Sequence, residues 1–364
     1  PGFSIDSDDW AIPALQSLAT YLARTHEIHV FSLRYPTAGL YDDFGFRHHA
    51  IGGGRARGLG SLKVWWKTYR ALSKQHRERP FDAIHAFWAD EPGFVGALAA
   101  KRLGLPLLVS LGGGELVFFK EIGYGTQGSL IRRWIIKIGL NNADLVSTGS
   151  EYQSRLVQRF GLPAERLRNL PLGVDTKRFQ SGNTPEWKKP TIIQAASLTP
   201  VKNQTMLLEV FKLARDRLPE LRLVVAGSGL LEKELKQKAS DLDLADYVKW
   251  YGSVPYPEMT GVYRKAHLYL QTSHHESQGM SVLESLASGL PAIGTPVGVL
   301  PEVSCKPTSF NREELAEQVI AVFGGRSDYS QFQHLARETI VDRYDLDTCN
   351  AGFIATYRSL VGDH

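Results

Sequence analysis

Short runs of β-branched and aliphatic residues alternate with amphipathic stretches along this 364-residue chain. In the first half the runs are EIHVFSL (27–33), FDAIHAF (81–87), LPLLVSL (105–111) and ADLVSTGS (143–150). Apolar positions at helical spacing lie between them, over 14–24, 62–75, 96–103 and 130–140. Strand followed by helix, repeated, predicts a parallel α/β architecture. After Phe179 the polar, turn-forming SGNTPEWKKP (181–190) reads as a linker. The pattern then restarts with PTIIQAASL, LRLVVAGSG, YVKWYGSV, AHLYLQTS and LPAIGTP as strands. Neither half carries a short repeat period, which excludes a solenoid.

Two successive Rossmann-like domains are the economical reading, with ligands expected at the carboxyl ends of the strands. The expected limits are 1–180 for the first domain, 181–190 for the linker and 191–343 for the second. Residues 344–364 form a C-terminal helix, with Phe353, Ile354, Tyr357 and Leu360 at helical spacing. A doubly wound domain opens on a strand, whereas Pro1-Gly2-Phe3-Ser4 reads as the loop that follows one. The first strand is therefore expected to be absent from this chain. A central sheet position would then be empty or filled from outside the sequence.

Composition narrows the class. With 43% hydrophobic and 22% charged residues the chain is neither disordered nor collagen-like. Cys305 and Cys349 cannot staple a chain of this size, so a reducing, cytoplasmic setting is expected. No apolar run reaches membrane-spanning length, and no signal peptide is expected from the first residues. The net charge of +4 divides unevenly: residues 1–180 hold 23 Lys and Arg against 16 Asp and Glu, leaving the second half mildly acidic. Such asymmetry suggests different partners for the two halves.

The richest segment for chemistry is SHHESQGMSVLESLASGLPAIGTPVGVLPEV (273–303). A loop carrying Glu276 leads through Gly279, Met280, Ser281 and Val282 into a helix carrying Glu284. Backbone N–H groups and the positive dipole end at a helix start favour a diphosphate. Gly279 lets a ligand approach the backbone closely. Glu284 is suited to accept hydrogen bonds from a cis-diol, and Glu276 from a sugar hydroxyl.

Glu276 and Glu284 stand in a Glu-x7-Glu arrangement among Gly279, Ala287, Gly289, Pro291, Gly298, Pro301 and Glu302. This block resembles the retaining glycosyltransferases of the GT-B fold, the group 1, family 4-like set. The resemblance implies an α/β fold of two Rossmann-like parallel-sheet domains facing across a cleft. SLTPVKNQ (197–204) resembles the family's phosphate loop, with Lys202 as the diphosphate cation. LVVAGSGLLEKEL (223–235) resembles the strand and glycine loop that follow, placing Gly227 and Gly229 near the nucleotide. YGSVPYPEM (251–259), STGSEYQSRL (147–156) and LPLGVDTKRF (170–179) fit the same order. The C-terminal helix is implied to cross back to the N-terminal domain.

Two departures from the family pattern stand out. Ser197 occupies the place of an Arg beside the phosphate-loop Lys, and a hydroxyl does not replace a five-donor fork. In LLVSLGGGELV (107–117), Gly112, Gly113 and Gly114 stand where many relatives have His-Gly, and only Glu115 matches the acidic position. The acceptor side is expected to include Gly2, Gly112, Gly113, Glu115 and His85. For His85 two readings stay open, a cleft-facing group or a hydrogen-bonded core histidine. Asp90 and Glu91 bind acceptor hydroxyls or form a solvated turn. His274 and His275 point to opposite faces of an extended segment, which argues against a shared metal. DSDD (6–9) lacks the preceding strand that a metal-dependent transferase motif has. No cofactor and no metal are expected, the nucleoside-diphosphate sugar being a substrate.

Between Arg55 and Arg79 lie eight Lys or Arg residues and one acid, Glu78. SLKVWWKTYRALSKQ predicts a helix with Leu62, Trp65, Tyr69 and Leu72 near one face, and SLIRRWIIKIGL (129–140) repeats basic and aromatic residues. Such helices lie on anionic membranes or pack their apolar face into a core. No nucleic-acid-binding module is recognisable. The reading is a retaining, metal-independent transferase moving a hexose from a nucleoside-diphosphate sugar to a glycan or lipid-linked acceptor, on the cytoplasmic membrane face through 55–79 and 129–140. Its rivals are a same-fold nucleotide-sugar epimerase and a catalytically silent sugar-nucleotide-binding protein.

Overall fold

A computed structural model describes residues 2–3, 12–42, 44–182, 186–325 and 329–362. The DSDD segment (6–9) and part of the 181–190 linker lie outside the described residues. The chain forms two compact units, one of residues 1–173 with 347–364 and one of residues 174–346. The division falls at Gly173/Val174, ahead of the polar 181–190 stretch, because Val174 already pairs with Asp345 inside the second unit.

In the first unit the elements run α1 (Pro13–Leu22), β1 (His29–Ser32), β2 (Gly39–Tyr41), β3 (Arg47–Ala50), α2 (Leu59–Glu78), β4 (Ile84–Phe87), α3 (Glu91–Leu103) and β5 (Leu107–Ser110). They continue as β6 (Phe118–Phe119), β7 (Tyr124–Gly125), α4 (Leu130–Asn141), β8 (Leu145–Thr148), α5 (Glu151–Arg159) and β9 (Leu167–Asn169). Strands β4-β5-β8-β9 form one parallel sheet in that order. A separate sheet has the order β1-β3-β2, with β1 and β3 parallel and β2 antiparallel to β3. Among the described residues no ladder joins β1 to β4. β5 and β8 are buried along their whole length, as expected for strands covered on both faces. Gly2 forms a parallel bridge with Tyr35, three residues beyond the end of β1.

α2 buries Val64, Thr68, Leu72 and Ser73. Of the apolar face predicted for this helix, Leu72 is buried, Trp65 and Tyr69 are half-buried and Leu62 is exposed. The i, i+4 row Val64-Thr68-Leu72 sets the packing, so Leu62 and Trp66 turn outward among the charges.

The second unit holds β10 (Thr191–Ala195), α6 (Gln204–Arg217), β11 (Arg222–Ala226), α7 (Glu232–Asp241), β12 (Val248–Gly252), α8 (Met259–Tyr263), β13 (Leu268–Gln271), α9 (Met280–Ala287), β14 (Ala292–Gly294), α10 (Leu300–Val303), α11 (Arg312–Gly324) and α12 (Tyr329–Tyr344). Its five strands form one parallel sheet, β12-β11-β10-β13-β14. Ile192, Leu223, Leu268, Leu270 and Ile293 of the sheet pack with Leu207, Phe211, Leu315 and Val319 on one face. Ile193, Tyr269, Val282, Leu283 and Leu286 fill the other. The chain winds outward from β10 in one direction, then returns to lay β13 on its other side. The loops after β10 and β13 therefore flank the topological switch point. The last helix, α13 (Leu346–Val361), belongs from Asp347 onward to the first unit and buries Cys349, Asn350, Phe353 and Thr356.

Candidate functional site

At the switch point of the second unit, backbone bonds lock two loops together. The His274 amide donates to the Val201 carbonyl at 2.8 Å. The Thr272 hydroxyl donates to the carbonyls of Lys202 and Asn203 at 3.2 and 3.0 Å. Gln194, buried in β10, donates through Nε2 to the Thr272 hydroxyl at 2.9 Å. Asn203 sits in the left-handed region at φ +50 and caps α6, accepting from the Met206 amide at 3.3 Å. This turn aims Lys202 back over the end of β13. Lys202 Nζ stands 2.6 Å from Glu276 Oε1, which also accepts from the Ser273 hydroxyl at 2.7 Å.

A third loop braces the same place. Thr295 donates from Oγ1 to the Ser273 carbonyl at 2.7 Å, and the Val299 amide to the Gln278 carbonyl at 2.7 Å. Gly298 has φ +61, and a Cβ there would lie 2.4 Å from the Gln278 carbonyl oxygen and 2.8 Å from Glu276 Cβ. Only glycine permits this approach. Gly279, at φ +96, caps α9. Its carbonyl accepts from the Val282 amide at 3.0 Å, so the amides of Met280 and Ser281 make up the outward-facing set and Val282 does not.

Glu284 is buried beneath this helix start. Its Oε2 accepts from the Tyr263 hydroxyl at 3.0 Å. Burial pushes its carboxyl up to about 7, against the Tyr263 hydrogen bond and the Arg178 charge that lower it. The carboxylate thus poises between forms near neutral pH.

Gly227 and Gly229 serve the fold directly. A Cβ on Gly227, at φ +140, would meet the Ala196 carbonyl oxygen at 2.0 Å, and one on Gly229 the Leu198 carbonyl at 2.4 Å. Both let the loop after β11 lie backbone to backbone on the loop after β10. Ser197 contacts Thr199 hydroxyl to hydroxyl at 3.4 Å at the surface.

In the first unit the expected acceptor-side residues have internal partners. His85 is half-buried and engaged at both ring nitrogens: its Nδ1 lies 2.7 Å from the Tyr357 hydroxyl and its Nε2 2.7 Å from the Ser110 hydroxyl. Burial drives its pKa down to about 3, so it is neutral. Glu115, only 2% exposed, accepts from the Gly112 and Gly113 amides at 3.1 and 2.7 Å. It organises the glycine loop instead of facing outward. Burial raises its carboxyl to about 7. A Cβ on Gly112 would meet Trp88 Nε1 at 3.1 Å, and one on Gly114 would lie 2.8 Å from the Tyr124 ring. Packing of Trp88 and Tyr124 therefore accounts for these glycines. Glu91 is no solvated turn residue, since Arg34 Nε donates to it at 2.8 Å in a half-buried pair. Gly2 lies against Tyr35.

Thr272, Gln194, Ser273, Thr295 and Tyr263 had no assigned role in the sequence reading. Their signal was polar residues at the ends of otherwise apolar strands, Gln194 in TIIQA and Gln271-Thr272 after LYL.

Comparisons with known proteins identify the family and the fold. A model of "Glycosyl transferases group 1" matches residues 175–338, and one of "Glycosyl transferase 4-like domain" matches residues 11–173. The chain is 26% identical over 307 residues to a GDP-mannose-dependent alpha-(1-6)-phosphatidylinositol monomannoside mannosyltransferase of Mycolicibacterium smegmatis, covering 79% of this chain and 77% of that protein. It is 26% identical over 249 residues to the alpha-monoglucosyldiacylglycerol synthase of Streptococcus pneumoniae, covering 62% of this chain but 55% of that protein. Among solved structures, a sucrose-phosphate synthase from Thermosynechococcus elongatus superposes with TM-score 0.81 at 16% identity, over 99% of this chain and 98% of that one. Anabaena HepE, solved in complex with UDP and glucose, gives 0.75 at 18% identity, over 99% of both chains. The chain belongs to the group 1, family 4-like glycosyltransferases and is a glycosyltransferase of the GT-B fold.

Proposed function

We propose that this glycosyltransferase moves a hexose from a nucleoside-diphosphate sugar to a lipid or lipid-linked acceptor, with retention of anomeric configuration and without a metal. The observation that carries the donor side is the Lys202–Glu276–Ser273 cluster beside the start of α9 at the switch point. Lys202 and the Met280 and Ser281 amides offer positive charge to a diphosphate, Glu276 accepts from the sugar hydroxyls, and Glu284 from the ribose diol. Charge develops on the diphosphate as the glycosidic bond breaks, and fixed donors stabilise it. The leaving diphosphate takes the acceptor proton, so the chain's task is positioning. This reading needs no base from the Gly112–Gly114 loop.

The acceptor side rests on a surface feature of the first unit. Leu59, Leu62 and Trp66 of α2 and Leu130, Ile131 and Trp134 of α4 are exposed, Leu59 by 84% and Leu130 by 79%. Phe94 of α3 joins the two helices, its ring 5.1 Å from Trp65 and 6.0 Å from Trp134. Lys63, Lys67, Arg70, Arg132, Arg133 and Lys137 are exposed on the same helices. Exposed apolar residues among basic ones suit an anionic membrane surface. Among the described residues no helix is long and apolar enough to cross a membrane. The names of two relatives contain glycolipids, phosphatidylinositol monomannoside and alpha-monoglucosyldiacylglycerol, which supports the same class. Incubation with nucleoside-diphosphate sugars and vesicles of phosphatidylinositol or diacylglycerol, followed by analysis of the lipid product, tests this function.

A further inference from the structure

Tyr263 ends α8 and is 1% exposed. Its ring packs against Phe179, with centroids 6.1 Å apart, and against Tyr269 at 6.3 Å. The Thr260 hydroxyl of the same short helix donates to the Arg178 carbonyl at 3.2 Å. A ring enclosed in this way holds its hydroxyl in one place. That hydroxyl donates to Glu284 Oε2 at 3.0 Å, joining α8 to α9 inside the second unit.

The bond decides which carboxylate oxygen of Glu284 is left over. Among the described residues Tyr263 is the hydrogen-bond donor to this carboxylate, and Oε1 has none. Oε1 is not among the polar atoms sealed from solvent, so a ligand can reach it. The terminal torsion of a glutamate is broad and holds no preferred plane by itself. With Oε2 tied, the carboxylate plane is set and one oxygen is presented.

The same bond acts on the charge of Glu284. A hydrogen bond donated to a carboxylate favours its ionised form. Burial raises this carboxyl to about 7, while the Tyr263 bond and the Arg178 charge lower it. Tyr256, in the turn ahead of α8, and Tyr269 of β13 also face it, and burial keeps both hydroxyls protonated. Arg337 of α12 reaches the far end of α9 instead, at the Ala287 carbonyl.

We propose that Tyr263 is a positioning residue for the donor nucleotide: its hydroxyl holds Glu284 Oε2 so that Oε1 receives the ribose diol. The proposal rests on Glu284 as the ribose acceptor, and it adds the residue that makes Glu284 competent for that task.

The test is calorimetric binding of UDP, GDP and ADP, and of their 2′-deoxy and 3′-deoxy forms, from pH 6 to pH 9. The parent, Tyr263→Phe, Glu284→Gln and the double variant are compared. The quantity read is the affinity lost when a ribose hydroxyl is removed. In the parent that loss is expected to shrink as pH falls through 7, and in Glu284→Gln it is absent at every pH. In Tyr263→Phe the midpoint is expected to move up by about one pH unit, the scale of a hydrogen bond to a charged group. The double variant behaves as Glu284→Gln does, because Tyr263 acts through Glu284. Replacing Tyr263 by 3-fluorotyrosine, a stronger donor that keeps the ring and the hydroxyl, moves the midpoint down. A tyrosine that only fills space leaves the midpoint unchanged in both replacements, and that result overturns the proposal while the ribose reading stands. Parent-like discrimination in Glu284→Gln overturns both.

Discussion

Lys202 Nζ lies 2.6 Å from Glu276 Oε1, joining by an ion pair the two residues proposed to hold opposite ends of the donor's reacting bond. Their side chains are 22% and 15% exposed, so the pair is reachable by a ligand. A donor diphosphate competes with Glu276 for the Lys202 ammonium, and a sugar hydroxyl competes with Lys202 for the carboxylate. The pair thus holds both side chains in place before the donor arrives. Lys202→Ala and Glu276→Ala are each expected to lower kcat by 100-fold or more, the size of losing one stabilising electrostatic contact. The double variant is expected to lose less than the product of the two, since the residues act together. Steady-state rates of the three variants check this. Fully multiplicative losses would mean that the two side chains act independently.

Glu284 gives a pH dependence with a definite sign. Its carboxyl sits near 7 in the folded chain, above the ordinary value of 4.5, because burial disfavours its charge. Ribose hydroxyls need the ionised acceptor, so donor KM is expected to rise as pH falls from 8 to 6. In Glu284→Gln that rise disappears. Stability moves the other way. A raised pKa makes the native state most favoured below about 4.5, with the advantage lost as pH climbs through 7. Glu284→Gln is therefore expected to exceed the parent in stability at pH 8, by about 2–3 kcal/mol at most, and to match it near pH 4.5. Thermal melts across that range decide it.

Backbone contact between the loops after β10 and β11 predicts a steep cost for a single methyl group. Gly227→Ala places Cβ against the Ala196 carbonyl in a conformation unsuited to L residues. The loss is expected to be at least about 2 kcal/mol. Gly261→Ala, inside α8 with nothing within 4 Å of the new Cβ, is expected to gain up to about 1 kcal/mol. Denaturant midpoints compare the two, and equal values would contradict the packing argument.

Outward-facing aromatics on α2 and α4 predict anionic-vesicle binding. Each buried apolar side chain contributes about 1.5–3 kcal/mol, and each nearby Lys or Arg about 1 kcal/mol. The double change Trp66→Ser and Trp134→Ser is expected to weaken binding to phosphatidylglycerol-containing vesicles at least tenfold, with binding also falling as salt rises. Co-sedimentation measures both. Equal binding of the parent to neutral and anionic vesicles would sink the membrane reading.

Strands buried on both faces were plain in the sequence, since LLVS and TIIQA stand out as apolar runs between turns. β2, β3 and β9 were not, because GLY, RHHA and LRN are short and carry polar residues that fit no period. α2 was legible as a helix, but its aromatic residues masked the smaller Val64-Thr68 row that faces the core. At the site, Glu276 and Glu284 stood out by their place around a helix start, and Lys202 by the resemblance of SLTPVKNQ to a phosphate loop. The Lys202–Glu276 bond and the threonine clamps depend on loops that meet only in the folded sheet. Glu115 was expected on the acceptor side, yet it is buried and holds the Gly112 and Gly113 amides, and burial is a property of neighbours distant in the chain.

Lys202, Glu276 and the start of α9 are proposed to carry the donor chemistry, so transfer itself is the decisive measurement. Parent, Lys202→Ala and Glu276→Ala chains are incubated with UDP- and GDP-hexoses and phosphatidylinositol vesicles, and the glycolipid product and its anomer are read by NMR. The expected result is a product of unchanged anomeric configuration from the parent, formed at least 100-fold more slowly by either variant, with all three chains melting alike. Parent-level product from either variant, or an inverted anomer, would contradict it.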